Sequence, residues 1–104
     1  MPEASKAPNT IVLAIHAEGA DAILDGTARY EYRTLPPKRL PARAYLAVTE
    51  QREVVGECEL GVPARRSAQG WALPVAKPRR YRVARPLSEF GLVKIPRSFR
   101  YVER

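Results

Sequence analysis

Gly26-Thr27-Ala28-Arg29-Tyr30-Glu31-Tyr32-Arg33 is the stretch on which the reading of this chain turns. Neighbouring strand residues point to opposite faces, so Arg29, Glu31 and Arg33 share one side and Tyr30 and Tyr32 the other. A face carrying cation, carboxylate and cation costs too much to bury unpaired. It is either a solvated sheet edge or the polar floor of a pocket. Upstream, Ala17 to Asp25 puts Ala20, Ile23 and Leu24 at helical spacing. Glu18 and Asp21 lie toward the N-terminal end and Gly26 at the C′ position. This predicts a helix of about two turns. A β-branched apolar run, Thr10 to Ile15, predicts a buried strand before it.

Downstream, Pro36, Pro37 and Pro41 forbid regular structure across 34–41. Ala42 to Thr49 and Glu53 to Leu60 read as strands of a hairpin turning at Glu50-Gln51-Arg52. Gly56 marks a bulge or a close backbone approach. Residues 61–70 read as a loop. Trp71 to Ala76 reads as a short element interrupted by Pro74. Arg79 to Arg85 reads as a strand with Tyr81 and Val83 on one face and Arg80 and Arg82 on the other. Pro86 to Gly91 reads as one helical turn closed by glycine, and Pro96 to Val102 as a last short strand. Several short strands with one or two short helices predict a mainly β (α+β) fold, a small curved or closed β-barrel.

The 104 residues suit one domain. Residues 1–9, small and polar, are expected to form a disordered arm ahead of a domain over 10–104. No apolar run approaches a bilayer span, and residues 1–9 lack a secretory pattern; the lone cysteine, Cys58, allows neither an internal disulfide nor a Cys-rich metal site. A cytoplasmic monomer is the expectation. The net charge of +7 is uneven. Residues 1–60 hold seven Lys/Arg against nine Asp/Glu, and residues 61–104 hold eleven against two. Clustered cations favour a polyanionic partner such as nucleic acid. A soluble surface that happens to be basic is the alternative.

The segment from the helix through Arg33 resembles the signature of the ASCH domain family, a branch of the PUA-like superfamily. That signature runs roughly G-x-K-x-x-E-x-R after a helix ending I-L-x-G. Here Ile23-Leu24-Asp25-Gly26 ends the helix, and Gly26, Glu31 and Arg33 match. Val55-Gly56-Glu57 is similar to the family's "IVGE" strand, and Ile95-Pro96-Arg97-Ser98-Phe99 to its "P-Q-S-F" ending. The likeness covers roughly residues 10–103. It implies a PUA-like barrel that binds RNA or modified bases in a cleft. The family lysine position is Ala28 here. Members that hydrolyse acetylated cytidine carry lysine at the position of Ala28 and threonine at that of Glu31, and this chain has neither. Arginine cannot replace that lysine as a base, because it does not lose its proton. No catalytic residue, metal or cofactor is therefore assigned.

The candidate pocket comprises Thr27, Arg29, Glu31, Arg33 and Ser98. Glu31 could accept from an exocyclic amine or ring N–H, and a guanidinium could hold a phosphate or carbonyl edge. The alternative is an internal ion pair closing the barrel. Candidate backbone contacts are Lys38, Arg39, Arg65, Arg66, Arg79, Arg80, Arg82, Arg97 and Arg100, with Arg85 beside them. Tyr81, Phe99 and Tyr101 either stack on bases or fill the core. Ser98 binds a ligand or caps a turn. His16, the only histidine, is expected at a helix end, and no motif supports pairing it with Ser98 as a nucleophile. Trp71 is expected to be a hydrophobic plug. Three function classes follow: a nucleic-acid-binding module, with RNA or a single-stranded or modified base favoured over duplex DNA; a small hydrolase acting on RNA or modified nucleosides; and a protein-interaction module.

Overall fold

The computed structural model describes residues 9–104. The expected arm lies outside the described residues, save Asn9, which already belongs to the first strand. The elements are β1 (Asn9–Ile15), α1 (Ala17–Leu24), β2 (Tyr30–Arg33), β3 (Ala42–Val48), β4 (Glu53–Leu60), β5 (Arg65–Ser67), β6 (Gly70–Pro86), a 3-10 turn (Leu87–Phe90) and β7 (Phe99–Tyr101). The strands form one curled half-barrel sheet in the order β2-β6-β4-β3-β1-β7, with β5 added to β6. β1 and β3 run parallel, and the other pairs are antiparallel. This is the small α+β barrel expected from the sequence.

β1 and β3 are buried on both faces, which explains their continuous apolar runs. Ile11, Leu13, Leu46, Leu60 and Leu73 face one core with Ile23 of α1. Val12, Tyr45, Val54 and Tyr81 face a second core, covered by Leu87 and Phe90 of the 3-10 turn. α1 ends where expected: Gly26 takes φ 84°, and the amides of Asp25 and Gly26 return to Asp21 and Ile23.

Two expectations are corrected. Residues 61–70 are not all loop, because Arg65–Ser67 pair with Gly70–Ala72 as a short hairpin. Trp71 to Ala76 and Arg79 to Arg85 are not separate elements but one strand of 17 residues. Pro74 is accommodated beside the short β2, and the extra residue around Pro78 is absorbed where the β4–β6 register shifts, with Lys77 at φ 51°. A second register shift, between Val54 and Gly56, breaks the alternation of Arg79 to Arg85. Tyr81 is buried, whereas Val83, expected on the same face, is 72% exposed. Gly56 sits at that shift because a Cβ there would lie 2.6 Å from the Arg79 carbonyl oxygen and 2.9 Å from Leu24 Cδ2. No helix among the described residues is long and apolar enough to cross a membrane.

Candidate functional site

The two edges of the half-barrel are β2 and β7. β7 pairs only with Ile11–Leu13, so the far end of β1 has no strand partner on that side. The gap between β2 and the end of β1 is a cleft of about 800 Å³. Its walls come from β2 (Glu31, Tyr32, Arg33), the start of the proline loop (Thr34, Leu35), the end of β1 and the start of α1 (Ala14 to Gly19, without Ala17), Thr49, Gln69 and Arg97–Phe99.

Arg33 spans this gap. Its Nε donates to Glu31 Oε2 at 2.8 Å, Nη1 to Ser98 Oγ at 3.2 Å and Nη2 to the Ala14 carbonyl at 2.8 Å. The Ala14 amide in turn donates to the Ser98 carbonyl at 2.8 Å. The Glu31 and Arg33 side chains are each 16% exposed. One cation and one carboxylate thus satisfy each other while both still line the cleft. A guanidinium carries five donors in a fixed fork, so this grip is geometrically specific.

The cleft mouth beside α1 is held differently. Glu50 Oε1 accepts the Ala17 amide at 2.9 Å and the Thr49 hydroxyl at 3.1 Å, and the Thr49 hydroxyl also lies 3.2 Å from His16 Nδ1. The Glu50 carboxyl is lowered below the usual glutamate range, first by its own backbone amide and then by that of Ala17. His16 is at the helix start, with Nδ1 3.4 Å from Glu50, and its ring is largely exposed. The sequence reading missed Glu50 and Thr49. The signal was there, since a polar turn of a hairpin can reach any helix start packed beside it, but the pairing is long-range.

The remaining candidates disperse. Thr27 and Arg29 do not line the cleft. The Thr27 hydroxyl donates to the Ala22 carbonyl at 3.1 Å, and Arg29 lines a second groove of about 390 Å³ between the end of α1 and Pro74–Pro78. β2 begins at Tyr30, so the regular alternation that would align Arg29 with Glu31 stops one residue short. Ala28 packs against the first core. Lys38 is exposed. The Arg39 amide donates to the Tyr101 hydroxyl at 3.0 Å, and its guanidinium lies over the Tyr101 ring. Arg65 covers Tyr30, and Arg66 covers Trp71. Arg79 and Arg85 flank Tyr81, and Arg85 also pairs with Glu89. Arg80 is 3.3 Å from both Asp21 and Asp25 of α1. Arg82 and Arg100 are exposed, and Arg97 stands at the cleft.

The interleaved aromatics are not free platforms. Tyr81 is buried and donates its hydroxyl to Glu57 at 2.8 Å, and burial with that bond pushes its ionisation well above the usual phenol range. Phe99 and Tyr101 meet each other edge-to-face and pack, partly buried, against the first core. Trp71 is only half-buried, not a plug, because it lies near the open end of β6 opposite Arg33. Cys58 is buried between the strands and its thiol is pushed up to about 12, chiefly by burial and then by the charges of Glu31, Glu57 and Glu59. It is an inert packed thiol.

No protein-family model matches the chain, and no curated protein sequence is significantly similar to it. Solved structures are. The ASCH protein from Zymomonas mobilis superposes with a TM-score of 0.74 at 20% identity, over 92% of this chain and 89% of that one. A serine-to-alanine mutant of the same protein gives 0.74 at 17% identity over 94% and 91%, and a tyrosine-to-phenylalanine mutant gives 0.73 at 17% over 92% and 91%. The chain therefore has the ASCH-type fold that its signature residues anticipated.

Proposed function

We propose that this chain is a nucleic-acid-binding module that takes a single unstacked base, of RNA in preference to duplex DNA, into the cleft between β2 and β1. The observation that carries this reading is a carboxylate and a guanidinium that satisfy each other at 2.8 Å on the wall of an open cleft of about 800 Å³. A pair that served only to close the barrel would not need a cavity of that size beside it. Arg33 spends three donors on Glu31, Ser98 and Ala14, so its first role is to position. Glu31 has acceptor capacity left for a cytosine-type amine or a ring N–H. Ser98 and Gln69 offer further polar contacts, and Arg97 at the mouth suits a phosphate. The ASCH-type fold supports the same reading, because PUA-like domains as a class are associated with RNA.

Titration of cytidine monophosphate and of a short unstructured RNA into the purified protein tests it. Glu31→Ala should weaken both by about tenfold or more, the loss of one charge-assisted contact of ~1.5–3 kcal/mol. The melting temperature should shift by only a few degrees, because Arg33 keeps two of its three bonds. If the parent protein binds neither ligand, or if Glu31→Ala unfolds it, the reading fails. Recovery of intact RNA after incubation separates binding from hydrolysis.

A further inference from the structure

The face of β2 turned away from Glu31 and Arg33 carries Tyr30 and Tyr32, and neither belongs to either hydrophobic core. Their rings are 6.3 Å apart on a strand at the edge of the sheet. Tyr32 lines the cleft and Tyr30 lines the second groove, so the pair joins the two cavities. Arg65, from β5, crosses over them. Its guanidinium carbon lies 4.7 Å from the centre of the Tyr30 ring, and Nη2 donates to the Tyr32 hydroxyl at 3.3 Å. The second groove is rimmed by the exposed Arg29 and by Lys77, whose amine is 3.8 Å from Glu59.

We infer that the outer face of β2 is a stacking platform for single-stranded RNA, which runs from the cleft across Tyr32 and Tyr30 into the groove at Arg29 and Lys77. This rests on the reading of the cleft as a base site and extends it from one base to a tract of several nucleotides. Both rings are partly exposed on the edge strand and outside either core. Tilted 44° to one another and capped by the Arg65 guanidinium, they form a cationic aromatic surface of the kind that accepts bases of any sequence, and a base can stack on the guanidinium plane itself. Arg29 and Lys77 place positive charge where the phosphates of a strand leaving the platform would pass. Duplex is disfavoured, because paired bases cannot offer their faces to the rings.

Fluorescence anisotropy with a labelled unstructured 12-nucleotide RNA, and titration with cytidine monophosphate, test this in the full chain. Tyr30→Ala should weaken the 12-mer by about 5- to 150-fold, the effect of one lost base stack. It should leave cytidine monophosphate binding unchanged, and Tyr30→Phe should bind the 12-mer as the parent does. Unchanged 12-mer binding by Tyr30→Ala overturns the platform and leaves the cleft reading standing. Equal weakening by Tyr30→Phe and Tyr30→Ala also overturns it, since the ring face is then not what matters. If Tyr30→Ala weakens the 12-mer while Glu31→Ala does not, the platform survives and the cleft reading falls. Photocrosslinking of 4-thiouridine RNA to the unmodified protein needs no variant to fold: adducts on Tyr30 or Tyr32 support the platform, and adducts confined to other surfaces overturn it.

Discussion

Arg33 does with one side chain what a strand does with its backbone. It meets a carbonyl of β1 that would otherwise face an empty lane beside β7, and it draws β2 toward that lane. The sequence marked Glu31, Arg33 and Ser98 as belonging together, and in the structure Arg33 hydrogen-bonds both of the others. Thr27 and Arg29 were not separable from them on paper, because alternation says nothing about where a strand starts. A second residue-scale contact has a pH consequence. Glu50 caps the start of α1, and its carboxyl is lowered relative to the unfolded chain. The folded protein therefore holds that proton more weakly than the unfolded one does. The stabilisation is complete above the ordinary glutamate range and is lost as the pH falls through and below it. Glu50→Gln should flatten this part of the acid dependence, so urea midpoints of parent and variant should differ near neutrality and converge at low pH.

At the scale of elements, helix α1 and the hairpin of β3 and β4 were legible because each carries local punctuation: a glycine at positive φ after the helix, and a polar turn between two apolar runs. β6 was not, because two prolines imitate element boundaries. Proline removes a ladder donor only where that donor is needed, and a register shift or a short neighbouring strand removes the need. β5 was missed for a related reason. Three exposed residues have no pattern of their own, and only pairing with β6 makes them a strand. Gly56 was correctly marked, and the contact it permits, between β4, β6 and α1, is now specific. Gly56→Ala should cost about 1–3 kcal/mol by overpacking, since the nearest atom is a backbone oxygen that cannot rotate away. Equilibrium urea unfolding would show this as a lower midpoint with unchanged slope.

For the whole molecule, the basic C-terminal half is less free than its composition suggests. Arg80 is spent on Asp21 and Asp25, and Arg85 and Arg104 both reach Glu89, so the chain's acids neutralise part of the excess internally. Net charge is readable in a sequence, but which cations remain unpaired is not, because the pairings join residues far apart in the chain. If RNA uses the cleft, replacing Arg97 with alanine should reduce the slope of log affinity against log salt by about 0.7, the value of one single-strand phosphate contact. Arg80→Ala should leave that slope unchanged.

The position of β1 between β3 and the edge strand β7 has a kinetic consequence. Ile11 lies opposite Ala44 on one side and Tyr101 on the other, so this first strand recruits its neighbours from the middle and from the far end of the chain. Pairings of such long sequence separation must close large loops before they are rewarded, which places this architecture among slow folders, on the order of milliseconds to seconds. Until β7 arrives, an apolar rim waits unguarded, and that interval is when a nascent copy is most exposed to self-association.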